Sequence, residues 1–288
     1  MLEKGFIIFA VAHPQYGRLA WNLALTLKNA GPCHVTVVRT ERSLNHLNES
    51  QQEIFDNIID LPDNVPMGCG AKLWAYDISP YEKTLLLDAD MLWLPQKTPS
   101  ELFAELNGVS FTAITEGYHN YDGAHDINKM YFFWADPDEV KEKYPVAADR
   151  VYQWRSEVMY FERSEEVESF FQTAKAAYLS PGLKSEKSFG EVTADELALV
   201  IAAGVHDVHP HQYKWSPSYW HLMNGGQIPE FGQLYRNYWL VSFGARFASS
   251  NSKLLYDRLV KAACYKMGVQ HVFPLIAKKE YLQSRQKI

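Results

Sequence analysis

Two aspartates, Asp88 and Asp90, stand two residues apart in the segment TLLLDADMLWL. Residues 84–87 have the length and apolar composition of a buried strand, so both carboxylates fall at its carboxyl end. On an extended segment they point the same way, with Cα atoms ~7 Å apart. Two adjacent carboxylates are costly to bury unless a divalent cation neutralises them, and hard oxygen ligands favour Mg²⁺ or Mn²⁺. We therefore predict that Asp88 and Asp90 bind one of these ions, which can then hold a diphosphate.

A D-x-D pair also occurs by chance in surface turns, where both side chains are simply solvated. Here four mostly apolar residues precede the pair, and the apolar sequence MLWL follows it. Carboxylates within such an apolar frame are hard to explain as solvated side chains. The frame therefore favours the metal site.

The elements that must position these aspartates begin near the start of the chain. Residues 5–12 form an apolar run of strand length, and residues 34–38 have the pattern of a second strand. Between them, Leu19, Leu23 and Leu27 recur every four residues, which is typical of a helix. This β-α-β opening predicts an α/β fold class with a mainly parallel central sheet flanked by helices.

Local signals predict the later elements. A capping box in the sequence TPSE, residues 98–101, opens a short helix. A second capping box, Thr193 with Glu196, opens a helix over residues 193–203. Residues 116–126 are polar and contain glycine, which predicts a loop.

The segment GAKLWAYDISPYEKTLLLDADMLWL resembles the sugar-nucleotide core of GT-A-fold glycosyltransferases of the glycogenin and lipopolysaccharide galactosyltransferase type. In that family a helix with a basic residue, a short turn and a strand ending in DxD follow one another. Four other segments resemble the family in its order: FAVAHPQYGRLAWNLALTL, LPQKTPSELFAELNGVSFTAITEG, RSEVMYFERSEEVESFF and TADELALVIAAG. The resemblance covers residues 5–205 and is specific over residues 70–94.

The resemblance implies a Rossmann-like GT-A fold and transfer of a sugar, with retention of configuration, from a nucleotide diphosphate sugar to an acceptor hydroxyl. A UDP-sugar is the expected donor, with Mn²⁺ or Mg²⁺ as cofactor. The residues that the resemblance assigns to the nucleotide sugar and its metal are Ala12, Tyr16, Lys72, Asp88, Ala89, Asp90, Arg155 and Ser156. Asp195 and Glu196 are assigned to catalysis, where they orient the sugar or stabilise an oxocarbenium-like transition state.

We expect one structural domain with two regions. Residues 1–205 form the nucleotide-sugar-binding core, and residues 206–288 form an extension that covers the active site. The stretch over residues 206–244 is rich in His, Trp, Tyr and Gly, and we expect it to supply contacts to the acceptor. An alternative is that it merely packs on the sheet edge.

The chain departs from the family at two positions. RSE at residues 155–157 stands where the family usually has Asn-Ser-Gly, in the segment that contacts the sugar. SFG at residues 242–244 stands where the family has a histidine as third metal ligand. Another late histidine, such as His209 or His211, could replace it, and so could water.

Two assignments have an alternative explanation in the sequence itself. Lys72 could be a solvated lysine on a helix. Glu196 could serve only as the capping partner of Thr193, which makes Asp195 the preferred site residue.

Two other functions compete with sugar transfer. A nucleotidyltransferase acting on sugar phosphates also pairs carboxylates around metals, but it would need a Gly-rich phosphate loop, and AVAHPQYG is a poor one. A non-catalytic module that binds sugar or nucleic acid is the third hypothesis. The expected acceptor is a saccharide, and protein is an alternative. A hydroxymethylated DNA base is a further alternative, because the tail from residue 278 is basic and residues 206–244 are aromatic.

Composition limits the other classes of function. The 288 residues carry a net charge of −6, which argues against a dedicated polyanion binder. The chain has no GxxxxGK[ST], GxGxxG, HExxH or GxSxG sequence. Its three cysteines form no metal pattern, it has no apolar run of ~20 residues, and its start lacks the zones of a signal peptide. We expect a cytoplasmic protein without a transmembrane segment.

Overall fold

The computed structural model describes residues 1–11, 13–121, 134–183, 187–188, 192–211, 219–221, 231–244 and 250–270. The strands are β1 (Leu2–Ala10), β2 (Val35–Arg39), β3 (Asn57–Asp60), β4 (Tyr81–Leu87), β5 (Met91–Trp93), β6 (Phe111–Asn120), β7 (Arg150–Glu162), β8 (Lys187–Ser188), β9 (Val192–Thr193), β10 (Tyr219–His221) and β11 (Leu240–Ser242). The α-helices are α1 (Pro14–Ala30), α2 (Glu49–Gln52), α3 (Ala75–Ile78), α4 (Pro99–Glu105), α5 (Pro137–Lys143), α6 (Glu165–Leu179), α7 (Asp195–Val205), α8 (Phe231–Asn237) and α9 (Ser250–Met267). A 3₁₀ helix over Cys69–Trp74 leads directly into α3.

The chain forms two compact units, each assembled from several segments. The first unit contains residues 1–9, 61–87 and 106–215. Its strands follow the order β1-β4-β7-β6, with β1 parallel to β4 and the two later pairs antiparallel. Helices α6 and α7 pack on one another, and α7 packs on β7. The apolar residues of β1 from Phe6 to Ala10 are buried, as the uninterrupted apolar run at this position predicts, whereas Leu2 at the start of the strand is exposed.

The second unit contains residues 10–60, 88–105 and 216–288. In it β2 pairs with β3 in parallel, and β11 lies between β10 and β5 in a small sheet. Helix α1 packs against β5 and against α9. His13 caps α1 by accepting a hydrogen bond from the backbone N–H of Gln15, and Pro14 occupies the first helical position.

The α/β fold class and the mainly parallel central sheet flanked by helices are confirmed. The capping box at Thr98 is also confirmed, since the Thr98 hydroxyl accepts from Glu101 N–H and the Glu101 carboxylate accepts from Thr98 N–H. Among the residues that the structure describes, no helix is long and apolar enough to cross a membrane.

Two local predictions are wrong. The predicted loop at residues 116–126 begins as strand, because β6 continues to Asn120 in antiparallel pairing with β7. Residues 122–126 lie outside the described part of the chain. The predicted capping box between Thr193 and Glu196 does not form: Ala194 is the N-cap of α7 and, within the described residues, makes no side-chain capping bond. Thr193 belongs to β9 instead.

We predict that Gly17→Ala lowers the free energy of unfolding by ~1–3 kcal/mol, as overpacking does. A Cβ atom on Gly17, in α1, would lie 1.9 Å from the backbone oxygen of Ser43, so one of the two segments must move. Urea unfolding followed by circular dichroism measures the change.

Gly232→Ala in α8 is the matched control, because the nearest heavy atom to its added Cβ would be Arg236 Nη1 at 3.7 Å. There we expect no loss, and a gain of up to ~1 kcal/mol from the helix preference of alanine. Equal effects of the two substitutions would show that the close approach of residue 17 to Ser43 does not affect the free energy of unfolding.

Candidate functional site

Asp88 and Asp90 lie in a turn that directly follows β4 in the chain. The backbone N–H of Met91 donates to the Asp88 carbonyl at 3.3 Å, so residues 88–91 form a turn and not the extended segment that we expected. Asp88 is half-buried, and Asp90 is only 7% exposed. The turn arises because the chain must leave β4 and enter the antiparallel pairing of β5 with β11.

Strand β11 supports this turn from the side. Ser242 pairs with Met91 in the β11–β5 ladder, and the backbone N–H of Phe243 donates to the Asp90 carbonyl at 3.0 Å. The Ser242 hydroxyl is buried, and within the described residues its oxygen has no hydrogen-bond partner. The segment that the sequence aligns with the third metal ligand of the family therefore lies beside Asp90.

A buried tyrosine, Tyr256, lies within electrostatic range of Asp90. Asn22 Nδ2 donates to the buried Tyr256 hydroxyl at 3.1 Å. Burial raises the pKa of Tyr256, and the negative charges of Asp257 and Asp90 add to the rise, so Asp90 acts on this phenol. The carboxylate oxygens of Asp88 and Asp90 are the kind of ligand that Mg²⁺ and Mn²⁺ prefer. No group of three or more His, Cys, Asp or Glu side chains that could hold a metal occurs in the described part of the chain, so part of the shell would come from the ligand or water.

Ala12 and Tyr16 are the two residues predicted to contact the nucleotide, and of these the structure describes Tyr16. Tyr16 is half-buried in the first turn of the helix, where its backbone N–H donates to the His13 carbonyl at 3.0 Å. Ala12 lies outside the described residues. The role of both residues stays a prediction.

Lys72, in the first unit, is buried and bonded. Its Nζ donates to Ser156 Oγ at 2.7 Å and lies 3.2 Å from Asp195 Oδ2. Lys72 is 8% exposed, so the alternative of a solvated helix lysine is wrong. The contact with Asp195 is an ion pair without hydrogen-bond geometry, since Asp195 Oδ2 has no hydrogen-bond partner within the described residues.

The 3₁₀ helix that carries Lys72 is held close to α6. Gly70 makes this approach possible, because a Cβ atom at residue 70 would lie 2.1 Å from the ring of Tyr178. The same ring packs edge-to-face on Trp74, with ring centroids 6.4 Å apart. Lys175 on α6 also pairs with Asp77 on α3 at 2.6 Å. These contacts determine where the Lys72 ammonium lies.

Glu196 is bound by two side chains from other parts of the first unit. Trp134 Nε1 donates to Glu196 Oε2 at 2.7 Å, and Arg155 Nη1 donates to both carboxylate oxygens at 3.2 and 3.3 Å. Arg155 Nη2 donates to Glu116 Oε2 at 2.9 Å. Glu196 is therefore not a helix-capping residue. The residues next to Glu196 in the sequence do not indicate that Trp134 and Arg155 bind it.

Irregular pairing between β6 and β7 produces this arrangement. Ala113 pairs with Met159 but the next residue, Ile114, pairs with Arg155, so residues 156–158 have no partner in β6. Glu116 is likewise left out between its two paired neighbours. Such bulges turn side chains in new directions and often lie beside active sites.

The charged cluster lies at the carboxyl end of β4. Val158 on β7 pairs with Leu87, the last residue of β4, so Ser156 lies beyond the end of that strand. Ligands of open α/β sheets bind outside the carboxyl ends of the strands. The sequence-predicted residues that the structure brings together here are Lys72, Arg155, Ser156, Asp195 and Glu196. Sequence reasoning missed Glu116 and Trp134.

Charges in this cluster influence one another. Burial raises the pKa of Glu196 above its ordinary value; the Arg155 charge opposes the rise and the Asp195 charge adds to it. Burial alone would lower the pKa of Arg155, but the carboxylates of Glu196 and Glu116 outweigh it, and the pKa is raised. Arg155 therefore stays protonated.

The late histidines lie around a different cavity of the first unit. A pocket of about 700 Å³ lies at the start of α6 and the end of α7, and His206, His209 and His211 line it. Both ring nitrogens of His209 have partners, Tyr152 at 3.4 Å and Asp207 at 3.2 Å. This is the geometry of a hydrogen-bonded loop histidine. Most of the remaining late segment, residues 212–218 and 222–230, lies outside the described residues.

Comparison with known proteins shows a fold but no close relative. No model of a known protein family matches the chain, and no curated protein matches its sequence. The bifunctional glycosyltransferase WbbM shares 11% identity and a TM-score of 0.53, over 93% of this chain and 51% of that one. The chain thus spans about half the length of WbbM.

Two further solved structures are matched over most of both chains. The galactosyltransferase LgtC, in complex with donor and acceptor sugar analogues, shares 13% identity and a TM-score of 0.51, over 98% of this chain and all of that one. Mouse xyloside xylosyltransferase 1 shares 12% identity and a TM-score of 0.50, over 85% of this chain and 99% of that one. The chain has the GT-A-type fold of these glycosyltransferases, as its sequence resemblance predicts.

Proposed function

We propose that this protein is a metal-dependent glycosyltransferase that moves a sugar from a nucleotide diphosphate sugar, a UDP-sugar first of all, to an acceptor hydroxyl. The observation that carries the proposal is the pair of buried carboxylates, Asp195 and Glu196, at the carboxyl end of β4. The DxD sequence of Asp88 and Asp90 follows this strand directly in the chain. The fold shared with known glycosyltransferases supports the same class of reaction.

In this proposal Asp88 and Asp90 hold Mn²⁺ or Mg²⁺, which on binding supplies Lewis-acid stabilisation of the departing nucleotide diphosphate. Lys72 carries a positive charge that suits a phosphate or a sugar hydroxyl, and its partner Ser156 orients it. The carboxylates of Asp195 and Glu196 orient the sugar and stabilise the positive charge that develops at the anomeric carbon. The acceptor oxygen then forms a bond to this carbon on the face from which the diphosphate departs, the hydroxyl proton passes to the departing diphosphate oxygen, and configuration is retained.

We propose a saccharide as the acceptor, and a hydroxymethylated DNA base as the second choice. The basic tail from residue 278, which motivated the DNA acceptor, lies outside the described residues. A screen of nucleotide sugars with and without Mn²⁺, followed by thermal shift, identifies the donor. A ligand at 100 times its Kd stabilises the protein by ~2.7 kcal/mol.

The screen is followed by incubation of the protein with the selected donor. Release of the free nucleotide diphosphate, with or without an acceptor, supports the proposal. Pyrophosphate release from UTP and a sugar 1-phosphate would instead identify a nucleotidyltransferase. Donor binding without cleavage under any condition tested would identify a non-catalytic binding module.

We predict that Asp88→Asn and Asp90→Asn each abolish Mn²⁺-dependent UDP binding and leave the fold intact. Each change removes a carboxylate charge that a divalent cation requires. Titration calorimetry with UDP, in the presence and absence of Mn²⁺, measures the effect. Asp60→Asn is the control, because Asp60 is an exposed aspartate paired with Arg39 on the surface. Unchanged UDP–Mn²⁺ affinity in both site variants would exclude these aspartates as metal ligands.

We predict that Tyr16→Ala weakens UDP binding by ~1–3 kcal/mol, because a base stacks on the aromatic ring. Tyr16→Phe keeps the ring and should bind UDP as the parent protein does. The same calorimetric titration compares the three proteins. If alanine and phenylalanine at residue 16 give equal affinities, the ring does not contact the base.

A further inference from the structure

We propose that Arg155 is a positioning residue: anchored by Glu116, it holds Glu196 as an immobile, ionised carboxylate at the carboxyl end of β4. The inference rests on the proposed function, in which Glu196 acts on the transferred sugar. It changes the role that the sequence suggested for Arg155, which was contact with the nucleotide sugar.

The hydrogen bonds of Arg155 support this role. Its Nη1 binds Glu196 and its Nη2 binds Glu116, so carboxylates occupy both terminal nitrogens. The third nitrogen, Nε, is buried and has no hydrogen-bond partner within the described residues. The side chain of Glu116 is 22% exposed and that of Glu196 is 10% exposed. The guanidinium therefore links an outer carboxylate to an inner one.

Trp134 completes the binding of Glu196. Its indole N–H donates to Oε2 at 2.7 Å, so Glu196 Oε2 accepts from two different side chains. The backbone of Trp134 has φ of 63°, in the left-handed region that bulky residues rarely adopt. Strained backbone of this kind persists only where the surrounding structure imposes it, and it concentrates at functional sites.

The sheet itself is distorted to make the link between the two glutamates. Glu116 on β6 has no backbone partner in the ladder with β7. Residues 156–158, directly after Arg155 on β7, have no backbone partner in β6. A regular ladder would keep more backbone pairing and would place these side chains on alternating faces. The two irregularities fall where Arg155 meets Glu116, so the distortion and the ion pairs belong to one arrangement.

Electrostatics explain why Glu196 needs this partner. Asp195 precedes it on α7, and two neighbouring buried carboxylates each favour protonation of the other. Lys72, on the 3₁₀ helix, lies against Asp195, and Arg155 on β7 lies against Glu196. The other charged groups near Arg155 are Glu116 on β6 and Glu157 on β7. Without Arg155, the groups in the described part of the chain that stabilise the charge of Glu196 would be the indole N–H of Trp134 and the Lys72 ammonium.

The functional consequence follows from the charge on the sugar. A fixed carboxylate stabilises positive charge at the anomeric carbon, and a protonated or mobile one does so far less well. Loss of Arg155 raises the pKa of Glu196, so Glu196 takes up a proton at a higher pH. The acid limb of the pH profile of kcat should then move to higher pH. Nucleotide binding should not change.

The experiment compares Arg155→Met, Arg155→Lys and Glu116→Gln with the parent protein. Arg150→Met is the matched control, because Arg150 is an exposed arginine at the start of the same strand. ¹³C NMR titration of labelled glutamate side chains follows the Glu196 carboxyl group, whose signal Glu196→Gln identifies. We expect its midpoint to rise by ~1–3 pH units in Arg155→Met. The rise should be smaller in Arg155→Lys and absent in Arg150→Met.

Kinetics provide the second readout. We expect kcat of Arg155→Met to fall roughly 100-fold, as for a misplaced group. Calorimetric Kd for the nucleotide sugar should stay the same, and the acid limb should move with the NMR midpoint. An unmoved NMR midpoint in Arg155→Met would overturn the proposal. If the affinity for the nucleotide sugar is also about tenfold weaker in that case, Arg155 is a donor-binding residue instead.

The two proposals fail separately. If the parent protein neither transfers nor hydrolyses a sugar, the proposed function is lost, but the NMR titration still decides whether Arg155 keeps Glu196 ionised. If Arg155→Met does not fold, Arg155→Lys and Glu116→Gln decide it, since the first keeps the charge and the second removes only the outer anchor. In Glu116→Gln we expect a smaller rise of the Glu196 midpoint in the same direction, and no rise would contradict the anchoring role of Glu116.

Discussion

Charge burial at the carboxyl end of β4 is the constraint on which the first unit depends. Asp195 and Glu196 are adjacent and largely removed from water, and such carboxylates are stable only with cations and hydrogen-bond donors beside them. Lys72 and Arg155 supply the cations from two different elements. The closeness of the 3₁₀ helix to α6 brings Lys72 into place, and the interrupted ladder of β6 and β7 does the same for Arg155. In this part of the molecule, the packing of helices and strands therefore also determines which cations neutralise the buried carboxylates.

Sequence reasoning succeeded where a signal is local. The apolar run before Asp88 marks β4, and the leucine spacing marks α1, because burial on one face of an element leaves a periodic trace. It failed where the decisive partner is distant in the chain. The TADE sequence satisfies a capping rule, yet Glu196 binds Trp134, which lies 62 residues away, and Arg155. The capping-box rule considers only neighbouring residues, so it cannot show that Glu196 instead forms a buried ion pair with a residue that is distant in the chain.

The same limit applies to the shape of the sheet. The register between β6 and β7 could not be predicted from the sequence, because a bulge leaves no periodic pattern in either strand. The sequence therefore predicts a loop at Glu116, where the structure has strand β6. The second unit gives a similar example. Sequence resemblance aligns residues 242–244 with the segment that carries the third metal ligand of the family. The pairing of Ser242 with Met91, however, depends on contacts between segments that are distant in the chain.

Gly70 has a consequence beyond its own contact. The ring of Tyr178 occupies the space that a side chain at residue 70 would need, and Lys72 lies two residues further on. Any larger residue would therefore act at a distance, by displacing an ammonium group that it does not touch. A side chain at residue 70 therefore needs a smaller residue than tyrosine at position 178. The distance between the 3₁₀ helix and α6 thus influences the geometry of the ion pair between Lys72 and Asp195.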